Sequence, residues 1–85
     1  MLSVVCIPAF NAESQIKDVI KKSQNYVDKV IVCDDGSSDE TYANAKSSGA
    51  LVLQHKANLG KGAALKTLFI KAKELRERFN SSFGL

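Results

Sequence analysis

Val30-Ile31-Val32-Cys33-Asp34-Asp35-Gly36-Ser37-Ser38-Asp39-Glu40-Thr41 decides how this chain folds. An apolar run stops at two adjacent carboxylates, then a glycine, then residues that favour helix N-termini. A buried parallel strand ends in this way at a ligand-facing edge before the chain turns into a helix. Two like charges side by side repel, so folding alone does not ask for Asp34-Asp35. The pair reads as a division of labour. Asp34 turns inward to bond backbone N–H groups of the neighbouring loop, and Asp35 stays free to accept hydrogen bonds from a ligand's N–H or hydroxyl groups.

The same unit of strand, loop and helix occurs three times. Leu2 to Ile7 is an apolar, β-branched run that reads as a buried strand, with Pro8 ending it for want of an N–H. Asn11 is placed to cap a helix from about Ala12 to Asn25, with Ile16, Val19, Ile20 and Ser23 on one face. Val27 to Cys33 is the second strand. Ser37 with Glu40, or Ser38 with Thr41, offers a capping box for a second helix ending near Ser48, closed by Gly49. Ala50 to Gln54 is the third strand. Beyond Gly60 a long helix carries Leu65, Leu68, Phe69, Ala72, Leu75 and Phe79 at helical spacing until Asn80-Ser81-Ser82, and Phe83-Gly84-Leu85 resembles the start of a further element. The alternation predicts an α/β fold, βαβαβα, with a three-stranded parallel sheet.

Composition narrows the function classes. The chain has 85 residues, 45% hydrophobic and 25% charged, with a net charge of +3. That is one globular domain at most, hiding roughly 60–65% of its unfolded surface. The lysines are scattered, without a basic block or interleaved aromatics, so nucleic acid is not an expected partner. No apolar stretch reaches the ~18 residues of a membrane span, and Met1 leads into a strand without a signal-peptide start, so the sequence reads as cytoplasmic. Cys6 and Cys33 lie inside apolar runs and read as reduced, buried small residues.

Two further segments belong with Asp34-Asp35. Pro8-Ala9-Phe10-Asn11 lacks the glycines of a dinucleotide fingerprint, and no P-loop pattern occurs anywhere. Its Pro8 supplies rigidity, and its Phe10 reads either as an aromatic wall that can bracket a base from the side or as a side chain folded into the core at a plain strand-to-helix turn. His55-Lys56-Ala57-Asn58-Leu59-Gly60-Lys61-Gly62 leads into the last helix, whose N-terminus favours anions. Lys61 reads as a phosphate contact or a solvated lysine, and His55 as a satisfied or exposed histidine at a strand end.

Three ordered runs carry a family resemblance: Val4-Val5-Cys6-Ile7-Pro8-Ala9-Phe10-Asn11-Ala12-Glu13, Val27 through Thr41, and Asn58-Leu59-Gly60-Lys61-Gly62-Ala63-Ala64-Leu65. Together they closely resemble the N-terminal part of family 2 glycosyltransferases, which have the Rossmann-like GT-A fold. The last run is most similar to the dolichyl-phosphate mannose or glucose synthases. The resemblance covers residues 2 to about 73 and makes residues 1–85 the nucleotide-recognition half of a GT-A domain. It implies that Pro8 and Phe10 line the base and ribose, with Ala9 contributing backbone. By the same resemblance Glu13 lies beside the ribose or donor pocket, and Asp35 holds the base through its N–H edge. Asn58, Gly60 and Lys61 close the site, with Lys61 nearest the phosphates.

The resemblance also implies partners. The donor is a nucleoside-diphosphate sugar, a UDP- or GDP-hexose, and the acceptor suggested is a polyprenyl phosphate, which places the enzyme beside a membrane. Family members next supply a DxD strand that binds Mg²⁺ or Mn²⁺ on the donor diphosphate. Here the stretch after Ala72 reads Lys73-Glu74-Leu75-Arg76-Glu77-Arg78-Phe79-Asn80, with no DxD before Leu85. Metal is therefore expected for the complete enzyme and not for this chain alone. No catalytic residue is assigned, and the isolated chain is expected to be inactive. Either it is the first part of a longer protein or a short relative. The alternative is a non-catalytic nucleotide-binding or scaffold module that pairs with another chain. An open first-strand edge and an apolar last helix lead us to expect a homodimer, or pairing with the missing half.

Overall fold

A computed structural model describes residues 2–81 of the chain, and their side chains as far as residue 77. The elements run β1 (Val4–Ala9), α1 (Ile16–Gln24), β2 (Lys29–Asp34), α2 (Thr41–Ser47), β3 (Leu51–Gln54) and α3 (Lys61–Ser81). The strands form one parallel sheet in the order β1-β2-β3. This is the α/β arrangement expected, three parallel strands with three helices.

Strand β2 is central, and its residues Val30 to Asp34 are all buried. Successive side chains on a strand point to opposite faces, and here each face has its own helices. Val30 and Val32 pack with Ile16 and Ile20 of α1 and Ala45 of α2. Ile31 and Cys33 pack with Ala64 and Leu68 of α3 on the other face. A strand covered on both sides must be apolar throughout, which is why Val30 to Cys33 is an unbroken run rather than an alternating one.

Several boundaries differ from the sequence reading. Pro8 does not end β1, which continues to Ala9 with Pro8 in register with Cys33. The Ala9 carbonyl accepts from Asp35 N–H (2.8 Å), so residue 9 turns its main-chain groups toward β2. Pro8 turns its own outward, at the edge of the described sheet, where a missing N–H costs no ladder bond. Helix α1 begins at Ile16 rather than Ala12, after a turn in which Gln15 and Ile16 N–H both donate to Ala12 O.

Asn11 is not a helix cap. It adopts φ 48°, and its Oδ1 accepts from Ser38 N–H (3.0 Å). Nor do Ser37 and Ser38 cap α2, because Asp39 Oδ1 accepts from Thr41 N–H (3.0 Å) instead. The serines and Thr41 reach across to the loop after β1: Asn11 N–H donates to Ser37 Oγ and Ala12 N–H to Thr41 Oγ1, both at 2.8 Å. Gly49, at φ 91°, closes α2 as expected.

On α3, Leu68 is fully buried and Leu65, Ala72 and Leu75 pack beside it. Phe69, expected on the same face, is 64% exposed. Phe79 lies outside the residues whose side chains are described, and Met1 and Phe83-Gly84-Leu85 lie outside the described residues altogether. Both thiols are free; Cys33 is buried as expected, whereas Cys6, near the sheet edge, is only half-buried, and burial pushes each above its ordinary pKa. Replacing Leu68 by alanine should cost about 2–5 kcal/mol of folding stability. Phe69→Ala should stay within about 0.5 kcal/mol. Urea denaturation of the two variants checks the difference, and equal losses would contradict this helix orientation.

Candidate active site

The register sets Ala9, Asp34 and Gln54 side by side at the C-terminal edge of the sheet. That edge is where open parallel sheets bind ligands. A cleft of about 390 Å³ opens there, lined by Pro8, Ala9, Phe10, Asp35, Asn58, Gly60, Lys61 and Ala64. Its size is ordinary for a small-molecule site. Phe10 stands at the mouth, 49% exposed, where an aromatic face can meet a planar ligand.

The two carboxylates do not divide their labour as expected, because both hold loops. Asp34 is fully buried; its Oδ1 accepts from Ser37 N–H and its Oδ2 from the Gln54 side-chain amide, each at 3.2 Å. Asp35 is only 4% exposed. Its Oδ1 accepts from Leu59 N–H and its Oδ2 from Gly60 N–H, both at 2.9 Å. His55 Nδ1 lies 2.8 Å from the same Oδ1, and the Asn58 side-chain amide donates to the Asp35 carbonyl (3.3 Å). One buried carboxylate thus anchors the whole 55–60 loop, and it does so against the cleft wall.

Gly36 lets that loop come close. It sits at φ 75°, and a Cβ there would fall 2.5 Å from the Ala57 carbonyl carbon and 2.6 Å from Asn58 N. Only a residue without a side chain allows both the left-handed conformation and this approach.

Of the residues singled out from sequence, Pro8, Ala9, Phe10, Asp35, Asn58, Gly60 and Lys61 share the one cleft. Glu13 does not join them. Its Oε2 accepts from Glu40 N–H (3.1 Å), and its own N–H donates to Asp39 Oδ2 (3.3 Å), beside the start of α2. Ala64 in the cleft wall and His55 behind it went unremarked as site residues. The sequence places His55 just past a strand end, but only the structural register, with Asp34 opposite Gln54, sets it beside Asp35.

The acids near the cleft do not suit a divalent cation. Asp34, Asp35 and Asp39 all direct their oxygens at N–H or O–H donors. Among the described residues no group of three His, Cys, Asp or Glu could hold a metal ion.

The chain belongs to glycosyl transferase family 2, whose model matches residues 4–74. An uncharacterized protein of Methanocaldococcus jannaschii is 43% identical over 74% of this chain and 26% of its own length. The UDP-N-acetylglucosamine–dolichyl-phosphate N-acetylglucosaminyltransferase of Methanococcus voltae is 34% identical over 87% of this chain and 37% of its own. Among solved structures, glucosyl-3-phosphoglycerate synthase from Mycobacterium tuberculosis, in complex with Mn²⁺, UDP and glucosyl-3-phosphoglycerate, matches with a TM-score of 0.63. It is 38% identical over 75% of this chain and 27% of that one. The chain therefore spans between about a quarter and somewhat over a third of the length of these relatives.

Asp35 should make the fold sensitive to acid. The His55 contact and the Leu59 and Gly60 amides hold its carboxyl below the ordinary aspartate value. A depressed folded-state pKa means that the stabilisation is fully present above the unfolded value and is lost as pH falls through the lower, folded one. The urea midpoint of the native chain should exceed that of Asp35→Asn at pH 6, and the gap should close below about pH 4. A gap unchanged down to pH 2 would contradict this role.

Proposed function

We propose that residues 1–85 are the nucleotide-recognition part of a family 2 glycosyltransferase whose donor is a UDP-sugar. The observation that carries this is the convergence of Pro8–Phe10 and Asn58–Lys61 on either side of Asp35, at the C-terminal edge of a parallel sheet. Within this reading the base and ribose lie against Pro8, Ala9 and Phe10. Asp35 sets the floor and, through Leu59 and Gly60, the opposite wall.

The diphosphate falls toward Lys61, the first residue of a 21-residue helix. The N-terminal turn of such a helix presents N–H groups with no partner inside the helix, and its dipole favours an anion. A neighbouring lysine ammonium adds a full positive charge. Glu13 lies outside the cleft, beside the start of α2.

Uridine is preferred over guanosine because the two named relatives act on or bind uridine nucleotides. The Methanococcus voltae enzyme also supports dolichyl phosphate, a polyprenyl phosphate, as the acceptor class. No helix among the described residues is long and apolar enough to cross a membrane. The described carboxylates give no cation site, and no step of this reading runs through a metal. For the same reason the chain alone binds donor and does not transfer sugar.

Beside the open edge of β1 runs a second groove, lined by Val4, Cys6, Phe69, Ala72, Lys73, Arg76 and Glu77. Exposed strand edges pair readily, so this groove is where a further strand would dock, from a second copy or from a longer chain. Isothermal titration should show weak binding of UDP, weaker or absent binding of GDP, and no gain from Mn²⁺. Light scattering on the same sample should give a mass above the 9.2 kDa of one chain. Absence of binding to either nucleotide would remove the functional reading, and a Mn²⁺-dependent gain would show a cation site within these residues.

A further inference from the structure

His55 sits where three elements meet. The ladder continues one residue beyond β2 and β3, with His55 N–H donating to Asp34 O (2.9 Å) just as Asp35 N–H donates to Ala9 O (2.8 Å). The two residues that follow these strands are thereby held side by side. The imidazole spans the gap from Asp35 Oδ1 (2.8 Å from Nδ1) to Thr67 Oγ1 on α3 (2.9 Å from Nε2). Its side chain is 13% exposed, so water offers little competition for either bond.

The chemistry of the partners settles the proton. An ionised carboxylate only accepts hydrogen bonds, so the nitrogen facing Asp35 must carry a hydrogen. In the neutral ring Nε2 is then the acceptor, and the Thr67 hydroxyl can donate to it. When the ring is protonated, Nε2 becomes a donor and the same hydroxyl can rotate to accept. The Nδ1–H bond to Asp35 survives in both states. The other titratable groups nearby do not change this: the Cys33 sulfur lies 3.7 Å from Nε2, and Asp34 is engaged by Ser37 and Gln54.

We propose that His55 is a positioning residue for the nucleotide cleft. Its Nδ1–H fixes the Asp35 carboxylate in the one orientation that also receives Leu59 N–H on Oδ1 and Gly60 N–H on Oδ2. A carboxylate otherwise turns readily about its terminal torsion, which has broad wells. With three donors in a fixed arrangement it cannot turn, and the wall containing Asn58, Gly60 and Lys61 stays opposite Pro8 and Phe10. Thr67 completes the support by tying the ring to α3, the helix whose first turn carries Lys61. The inference rests on the nucleotide-binding reading for its consequence, but not for its geometry.

Asparagine at position 55 would carry its amide N–H near the place of Nδ1, whereas glutamine would carry it near the place of Nε2. Three readouts on the 85-residue chain decide the matter: the ¹⁵N shifts of the native imidazole, the amide shifts of Leu59 and Gly60, and titration with UDP. The native ring should be protonated at Nδ1. His55→Asn should keep the two amide shifts and hold UDP affinity within about twofold. His55→Gln should move both amides and weaken UDP by about tenfold, the scale of one hydrogen bond to a charged group. A native ring protonated at Nε2 would overturn the proposal without any variant. So would a His55→Gln protein with both amide shifts intact, or a His55→Asn protein that moves them equally. If the native chain binds no UDP, the nucleotide reading fails, while the amide shifts still decide whether His55 positions Asp35.

Discussion

The structure depends on what Asp34 and Asp35 do with their oxygens. A strand buried on both faces brings two charges into a place where an unsatisfied carboxylate would be strongly unfavourable. Each is therefore surrounded by donors drawn from a different part of the chain. Asp34 bonds Ser37 and Gln54, and Asp35 bonds Leu59 and Gly60 and meets His55. Hydrogen bonds to a charged acceptor are the strong kind, about 1.5–3 kcal/mol each. They convert a loop without regular structure into a wall with a defined position. The floor of the cleft and its far side are thus set by one residue, and the near side by β1 in register with the strand that carries it.

Much of the fold was legible because its pattern is physical. An uninterrupted apolar run means a strand covered on both faces, and Val30 to Cys33 is covered on both. Three such runs separated by helical spacing can hardly be other than a parallel sheet with crossover helices. The misread boundaries share a cause. Asn11, Ser37 and Ser38 have side chains suited to capping their own helices, and local reasoning assigned them there. In the structure they bond to each other across the gap between two loops far apart in sequence. Pro8 reads as a stop from sequence because the side to which its nitrogen points depends on the partner strand. Phe69 was placed with Leu65 and Leu68 by spacing alone, yet the described sheet is too narrow to cover it.

The site was legible to a similar depth. Residues that follow strands must gather at one edge, so Pro8–Phe10, Asp35 and the Asn58–Lys61 segment could be expected together. The inward turn of Asp34 onto a loop N–H could be expected too, but the part of Asp35 could not, since it turns on the hydrogen bonds of the 55–60 loop. The expectation that Asp35 would be open to a ligand overlooked how many main-chain donors that loop brings. For the nucleotide proposed above, the site therefore offers a shaped cleft more than a free acid. Phe10 and Lys61 are the exposed side chains best placed to meet it, and that suits a site which grips a base at one end and an anion at the other.

The central claim is that one cleft, built on Asp35, receives the nucleotide. Mapping amide shifts along the chain during addition of UDP tests it most directly. The account predicts that the largest changes fall on Ala9, Phe10, Leu59, Gly60, Lys61 and Ala64. Changes gathered instead around Glu13 and Glu40, or along the groove between Val4 and Arg76, would contradict it.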